Sequence, residues 1–182
     1  MNPLLALAAP MLLAAAHPQE PVDAVSLAVA RGAAAEAAGD GRAMLDAART
    51  LEALGARPDS EGADLAKHWR ALAQAQGVRD KAPPFRGRAL GPAYRQGVLA
   101  PGASLATEQV FLAGQKAVVA LVPEPARALN IRIQSRDRKN ICERAAAAPR
   151  VSCAWLPLFT SRVEIRVVNQ GPSSARYYLV SN

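Results

Sequence analysis

Two stretches of the sequence decide the fold: LNIRIQS at residues 129–135 and RVEIRVVN at residues 162–169. Both alternate apolar and polar residues with a period of two. The apolar positions are Leu129, Ile131, Ile133, Val163, Ile165 and Val167, and the polar positions between them are Asn130, Arg132, Gln134, Arg162, Glu164 and Arg166. This alternation is typical of a β-strand with one buried face and one solvated face.

Six further short runs of apolar and β-branched residues complete a set of eight predicted strands. The predicted strands are Ala93 to Leu99, Leu105 to Leu112, Lys116 to Val122, Leu129 to Ser135, Asn140 to Glu143, Val151 to Trp155, Arg162 to Asn169 and Ala175 to Ser181. Proline and glycine separate the runs, for example at Pro101-Gly102 and Gly171-Pro172. Short strands at close spacing, with no helix between them, predict an antiparallel β-sandwich or jelly roll over residues 93–182.

The chain before residue 78 is rich in Ala, Leu, Glu, Arg and Gln, which favour helices. Glycine interrupts it at intervals that suit three short helices. They run from Pro21 to Ala38, from the capping residue Asp40 to Gly55, and from Ser60-Glu61 to Gly77. The sequence therefore predicts a segregated α+β fold, with a helical segment at residues 17–77, a linker at residues 78–92 and the β domain at residues 93–182.

The N-terminus has the pattern of a targeting segment. Residues Leu4 to Leu13 are almost wholly apolar, and Ala14-Ala15-Ala16 precede the polar residues that begin at His17. This pattern predicts a signal peptide at residues 1–16. The run is shorter than the roughly 20 apolar residues that span a bilayer. We therefore expect a periplasmic or secreted mature protein with no transmembrane segment; the alternative is a buried N-terminal helix.

Export changes the interpretation of the two cysteines, Cys142 and Cys153. Thiols in an oxidising compartment normally form disulfides, and these two are the only pair in the chain. Closing so short a loop would stabilise the fold by roughly 2 to 3 kcal/mol. The alternative is two independent buried thiols.

Charge is unevenly distributed along the chain, which has a net charge of +7. Residues 17–80 hold 7 Lys and Arg against 10 Asp and Glu, whereas residues 81–182 hold 15 against 5. A basic β domain favours anionic partners such as an acidic polysaccharide, lipopolysaccharide or an acidic protein. The candidate anion-binding residues are Arg132, Arg162 and Arg166, on polar strand positions. The alternative is that the arginines only keep the protein soluble.

The β domain resembles the bacterial pre-peptidase C-terminal domain, a secreted β-sandwich, and the chain resembles small exported proteins with a helical segment before such a domain. The segments that carry the resemblance are LAPG at 99–102, FLAG at 111–114, LNIRI at 129–133, CAWLP at 153–157 and IRVVN at 165–169. The resemblance implies a jelly-roll-like, non-catalytic module. Some members of the family carry acidic residues near the strand at 129–133 that ligate calcium. Here Asn130 replaces an aspartate, and cations flank Asp137, so no metal site is predicted.

The residues needed for catalysis are scarce. Two histidines and two cysteines do not build a zinc site of familiar spacing, and no G-x-S-x-G elbow accompanies the pair Asp64 and His68. Arginines flank Glu143 and Glu164, which would keep both carboxylates ionised, so neither suits a glycosidase acid. Aromatic residues make up only 4% of the chain, which argues against a stacking platform for nucleic acid. The sequence therefore predicts no enzyme, no cofactor and no specific nucleic-acid partner.

These observations predict a secreted or periplasmic, non-catalytic binding or accessory module whose β domain recognises an anionic envelope component or a protein. The alternative is a structural protein of the cell envelope that oligomerises or docks through its helical half. The sequence specifies neither the partner nor the oligomeric state.

Overall fold

The computed structural model describes residues 20–60, 62–81, 90–125, 128–147 and 149–182. The predicted signal peptide, His17 and most of the predicted linker lie outside these ranges. Within them, the helices are α1 (Pro21–Ala38), α2 (Gly41–Ala53) and α3 (Leu65–Ala75). The strands are β1 (Arg57–Pro58), β2 (Ala93–Leu99), β3 (Ser104–Phe111), β4 (Ala117–Glu124), β5 (Leu129–Ser135), β6 (Asn140–Ala145), β7 (Val151–Trp155), β8 (Ser161–Asn169) and β9 (Ala175–Ser181). The predicted α+β class, with helices before strands, is confirmed.

The ends of the first two helices follow from the residues that flank them. Gly39 ends α1 in the left-handed conformation, with φ of 68°, where glycine carries no side-chain penalty. The Asp40 side chain caps α2 by accepting a hydrogen bond from the Ala43 backbone N–H at 3.0 Å. None of the helices in the described ranges is long and apolar enough to cross a membrane.

The third helix begins later than predicted. It starts at Leu65, and Asp64 is its cap, with the Asp64 carboxylate accepting from the Lys67 N–H at 3.1 Å. The predicted start at Ser60-Glu61 is wrong because the residues just before it form strand β1. Arg57 and Pro58 pair in parallel with β2, and the chain then turns, so helical geometry begins only after this connection.

The strands form two sheets that pack face to face. The first sheet has the order β1-β2-β9-β4-β7, and the second has the order β3-β8-β5-β6. Apart from the short parallel pair of β1 and β2, neighbouring strands are antiparallel. The predicted sandwich is confirmed, and strand β1 is an addition that the sequence pattern did not reveal.

The central strands of the first sheet, β4 and β9, are buried on both faces because the helices cover their outer side. Along β4, Val119 and Leu121 belong to the core between the two sheets, whereas Val118, Ala120 and Val122 belong to a second core beneath the helices. The molecule therefore has three layers: helices, a five-stranded sheet and a four-stranded sheet.

Trp69 of α3 occupies the centre of the helical layer and is fully buried. Its ring lies against Gly32 of α1, where a Cβ atom would come within 2.3 Å of the ring carbons. Its Nε1–H donates a hydrogen bond to the Glu36 carboxylate at 2.8 Å. The close approach of α1 and α3 at this point therefore requires the absence of a side chain at residue 32.

Tyr177 and Tyr178 are neighbours in β9, and both are buried. Tyr177 lies in the core between the sheets and Tyr178 in the core beneath the helices. Their side chains alternate between the two faces, and both faces are covered at this strand.

A disulfide joins Cys142 of β6 to Cys153 of β7, as predicted. The two strands belong to different sheets, so this bond links the sheets covalently. Beside it, Trp155 at the end of β7 meets Phe111 of β3 edge to face, with ring centroids 4.8 Å apart. One end of the sandwich is thus fixed by a covalent bond and an aromatic pair from opposite sheets.

Candidate anion-binding groove

The outer face of the four-stranded sheet is open to solvent and carries the candidate arginines. Strand pairing places Arg132 of β5 directly opposite Arg166 of β8. Arg162 lies on the same face of β8, since residues two and four apart on a strand share a face. The structure therefore brings the three predicted anion-binding residues together on one surface.

These arginines line a broad, open groove of about 970 Å³ that runs along β5 and β8. Nine of its ten lining residues are polar or charged, and they include two further guanidinium groups from the turn between β5 and β6. The lining residues are Glu108, Arg132, Gln134, Ser135, Arg136, Arg138, Arg162, Val163, Glu164 and Arg166. A groove with five guanidinium groups has the chemistry to hold sulfate, phosphate or carboxylate groups along an extended ligand.

Each of the three predicted arginines has a carboxylate partner on the same face. The Arg132 Nη2 donates to Glu143 Oε1 at 2.6 Å, Arg162 Nη1 lies 3.2 Å from Glu108 Oε2, and Arg166 Nη2 lies 2.9 Å from Glu164 Oε1. The sequence pattern did not reveal the partners of Arg132 and Arg162, because Glu143 and Glu108 come from other strands. Much of the positive charge of these arginines is therefore compensated within the sheet.

The Arg132 pair also determines the charge state of its partner. The hydrogen bond from Arg132, reinforced by its charge, holds the pKa of the Glu143 carboxyl below its ordinary value. The same hydrogen bond raises the pKa of Arg132. Both groups are therefore fully ionised at neutral pH, as the sequence analysis expected for Glu143.

The excess positive charge of the groove comes from the β5–β6 hairpin, which we define as residues 136–139. It holds three cations, Arg136, Arg138 and Lys139, and one carboxylate, Asp137. Among the described residues, no carboxylate lies within ion-pair distance of Arg136 or Arg138. Neither arginine was among the candidate anion-binding residues predicted from the sequence.

Asp137 is itself stabilised as an anion. A hydrogen bond from Ser135 is the main cause that lowers the pKa of Asp137, and the charge of Lys139 acts in the same direction. The hairpin therefore keeps a fixed charge pattern, with an excess of two positive charges, at every pH near neutrality.

Arg138 adopts a backbone conformation that arginine rarely takes. Its φ is 61°, in the left-handed region, and it is the only non-glycine residue with positive φ in the described ranges. The turn is closed by hydrogen bonds from the Arg138 N–H to the Ser135 carbonyl at 2.9 Å and from the Ser135 N–H to the Lys139 carbonyl at 3.0 Å. Glycine usually fills such a position because a Cβ atom there costs about 1 to 2 kcal/mol. A strained residue at an exposed turn points to a use for its side chain.

Other candidates for chemistry are held in structural contacts. Asp64 caps α3, so its carboxylate is held at the Lys67 N–H rather than at His68. The His68 Nε2 instead lies 3.3 Å from Glu36 Oε1, across the α1–α3 interface. In the described ranges, no three His, Cys, Asp or Glu side chains come close enough together to hold a metal ion.

Comparison with known proteins finds only distant structural neighbours. Neither a protein-family model nor a curated protein matches the sequence. Solved structures do match. One is the pre-peptidase C-terminal domain of a collagenase from Bacillus anthracis, with 9% identity and a TM-score of 0.44 over 49% of this chain and 87% of that one. The family that the sequence motifs resemble is thus also among the structural neighbours.

Two further neighbours have lower TM-scores. PliG, a periplasmic inhibitor of g-type lysozyme from Aeromonas hydrophila, is 14% identical, with a TM-score of 0.38 over 50% of this chain and 84% of that one. CapF, a capsular polysaccharide assembling protein from Staphylococcus aureus, is 13% identical, with a TM-score of 0.35 over 65% of this chain and 34% of that one. The fold described above stands on the strand pairing alone.

Proposed function

We propose that this protein is an extracytoplasmic, non-catalytic binding module whose groove holds an acidic polysaccharide of the cell envelope. The observation that carries the proposal is the row of five guanidinium groups along one groove, two of which have no carboxylate partner in the described part of the chain. An extended ligand with repeated anionic groups matches a long open groove better than a small compact anion does.

The disulfide supports the extracytoplasmic location. A bond between Cys142 and Cys153 forms and persists in oxidising compartments, whereas cytosolic thiols are kept reduced. The predicted signal peptide at residues 1–16 is consistent with the same location. Together they favour the periplasm or the exterior of the cell.

The chemistry of the groove supports binding without catalysis. Its carboxylates are paired with arginines, and Arg132 lowers the pKa of Glu143, the opposite of what a general acid needs at neutral pH. Ion pairs of this kind fix side-chain positions, so the groove offers a preformed pattern of charges. Such a pattern suits recognition of a charged polymer.

The alternative function, a structural protein that assembles through its helical half, would need a surface other than the apolar stripes of the helices. Those stripes, including Val25, Val29, Leu51 and Trp69, are buried against the first sheet and against one another. We therefore favour the groove as the functional surface.

Affinity chromatography on immobilised heparin, an available acidic polysaccharide, tests the proposal. We expect the full mature chain to bind at 50 mM salt and to elute as ionic strength rises, because salt screens surface charges within about 10 Å at 0.1 M. A variant with Arg136→Gln and Arg138→Gly should bind roughly tenfold more weakly or worse, since each lost contact contributes about 1 kcal/mol in water. Glycine at residue 138 also relieves the left-handed backbone, so this variant should fold at least as well as the parent.

The matched control is a variant with Arg42→Gln and Arg79→Gln. Both residues are exposed on the helical half, so the control loses the same net charge at a distance from the groove. It should bind nearly as well as the parent. Equal binding by the hairpin variant and the parent, or no binding of the parent at 50 mM salt, would show that the basic surface only keeps the protein soluble.

A further inference from the structure

One end of the sandwich exposes large apolar side chains that the groove does not use. Leu158 and Phe159, in the connection between β7 and β8, are 81% and 78% exposed, and Leu156 in the same connection is also exposed. Leu112, in the turn between β3 and β4, is exposed beside them. We call these four residues the apolar tip. Clustered exposed apolar residues with a polar rim mark contact sites for a protein or a membrane.

The apolar tip is held in a defined shape by the backbone. The Gly114 N–H donates a hydrogen bond to the Pro157 carbonyl at 2.9 Å, and the Ala113 N–H donates to the Thr160 hydroxyl at 3.1 Å. Pro157 is buried between the exposed leucines. The two connections therefore brace each other, and their apolar side chains stay in solvent although the loop beneath them is anchored.

Strand register places the cationic hairpin at the same end. Phe111 pairs with Ser161, where the β7–β8 connection ends, and Ser135 pairs with Val163 two residues further along β8. Neighbouring strands lie about 4.8 Å apart, so the hairpin that follows Ser135 emerges beside the apolar tip. Arg162, three residues after Phe159 in the chain, lines the groove together with Arg136 and Arg138.

We propose that this end of the molecule docks on the surface of a phospholipid bilayer with anionic headgroups. Phe159 and the leucines would enter the boundary between headgroups and acyl chains, while Arg136, Arg138 and Lys139 would contact the lipid phosphates. A single apolar signal gives only marginal membrane binding, and stable attachment takes apolar insertion combined with basic residues. Both signals occur here side by side, on adjacent connections of one end.

The form of the surface favours a bilayer over a pocket on another protein. The apolar side chains come from two separate connections that project beyond the strands, and cations flank them on the side of β5. A bilayer accepts such a mixed, projecting surface because its headgroups are anionic and its hydrocarbon lies just below. The complementary charges of these cations and of the anionic headgroups therefore favour a bilayer as the partner of this surface.

This inference goes beyond the proposed function, because a polysaccharide-binding groove does not require apolar residues at its end. The hairpin contributes to polysaccharide binding and to membrane docking, whereas the apolar tip contributes only to membrane docking. The two ideas can therefore fail separately.

The test is sedimentation of the full mature chain with vesicles of phosphatidylglycerol and phosphatidylcholine, compared with vesicles of phosphatidylcholine alone. We expect partitioning to the anionic vesicles at 50 mM salt and much weaker partitioning to the neutral ones. A variant with Leu158→Ser and Phe159→Ser should lose about tenfold or more in partitioning, since two large apolar side chains no longer enter the bilayer. Both residues are exposed in the free protein, so the melting temperature should not change.

Val98→Ser is the matched control. Val98 is also exposed and apolar. It pairs with Arg176 near the end of β2 and lies at the end of the sandwich away from the apolar tip. This variant should partition as the parent does. Equal partitioning by the Leu158 and Phe159 variant, or no preference of the parent for anionic vesicles, overturns membrane docking. Heparin binding separates the two proposals: the apolar-tip variant should bind heparin normally, and a loss there would show instead that the tip belongs to the polysaccharide site.

Discussion

The outer faces of the two sheets have opposite environments, since one lies beneath the helices and the other lies in solvent. The outer face of the first sheet is apolar, with Val118, Ala120 and Val122 of β4 beneath the helices. The outer face of the second sheet carries pairs of arginine and glutamate in solvent, two of them between strands and one within β8. Apart from the short parallel strand β1, the strands of both sheets are five to nine residues long and antiparallel. What differs is the residue placed at every second position.

This contrast explains why one face is a core and the other a candidate binding surface. A strand that is apolar at successive positions needs cover on both sides, and in this chain the helices supply it. A strand that alternates apolar and polar residues buries only one face. Its other face can carry charged side chains, because exposing them to water costs negligible free energy. The helical half thus stabilises the first sheet and leaves the second available to a partner.

Placing the same charge on each outer face gives the largest expected difference. Ala120→Asp puts a carboxylate beneath the helices, where we expect a loss of about 3 to 5 kcal/mol or complete unfolding, because a buried charge has no partner there. Ala106→Asp makes the same change on exposed β3, opposite Arg166, and should alter stability by no more than about 0.5 kcal/mol. Urea denaturation followed by circular dichroism measures both. Similar losses for the two variants would mean that the helices do not cover the first sheet in solution.

The disulfide tests the coupling between the two sheets, with a smaller expected effect. Replacing Cys142 and Cys153 together by serine should lower the free energy of unfolding by roughly 2 to 3 kcal/mol, because the 11-residue separation closes a short loop in the unfolded chain. Urea denaturation of the oxidised parent and the double variant gives the difference. Unreduced parent protein, denatured and treated with a thiol reagent, should not react; two reactive thiols would show that the bond does not form in its native compartment.

The smallest expected effects compare one carboxylate from each side of the molecule. Burial alone would raise the pKa of Glu36, but hydrogen bonds from Trp69 and His68, with the charges of His68 and Arg176, hold it below the ordinary value of 4.5. The pKa of Glu143 is lowered chiefly by its hydrogen bond with exposed Arg132. A lowered folded pKa stabilises the protein above the unfolded value, and this contribution is lost as pH falls through the folded pKa.

We therefore expect the stability difference between the parent and Glu36→Gln to shrink as pH falls below about 4.5. Urea midpoints at several pH values measure it. Carboxyl titration by nuclear magnetic resonance sharpens the comparison: in 1 M salt, the pKa of Glu143 should return towards its ordinary value, whereas that of Glu36 should move less because its partners are partly buried. Equal salt sensitivity of both carboxyls would place Glu36 in solvent rather than at the α1–α3 interface.

Much of the fold was predictable because local patterns dominate it. Strand bounds follow from alternation, and the ends of α1 and α2 follow from Gly39 and Asp40. The covered face of the first sheet was missed, although its signal was present: residues 117–123 of β4 are apolar at every position, a pattern typical of a strand buried on both faces. Strand β1 was not predictable, because two residues gain strand geometry only through their tertiary contact with β2. The division of the chain into a helical segment at residues 17–77, a linker at residues 78–92 and a β domain at residues 93–182 stays a prediction.

The candidate site was predictable in composition but not in electrostatics. Alternation correctly places Arg132, Arg162 and Arg166 on the outer face. Their compensation by Glu108 and Glu143 depends on which strands become neighbours and in what register, and neither can be derived from one strand alone. The charged run from Arg136 to Lys139, between two predicted strands, was the sequence signal for the hairpin. Its value as an anion-binding site depends on the absence of nearby carboxylates, which only the tertiary structure determines.

The position of β9 has a consequence for how the chain is made. It is the last strand in chain order, but it lies in the middle of the first sheet, between β2 and β4. A ribosome releases all the other strands before this one, so β2 and β4 lack their common neighbour until synthesis has passed residue 181. Contacts so distant in sequence form late. The five-stranded sheet is therefore completed only after residue 181 has been synthesised, whereas the four-stranded sheet needs no strand beyond residue 169.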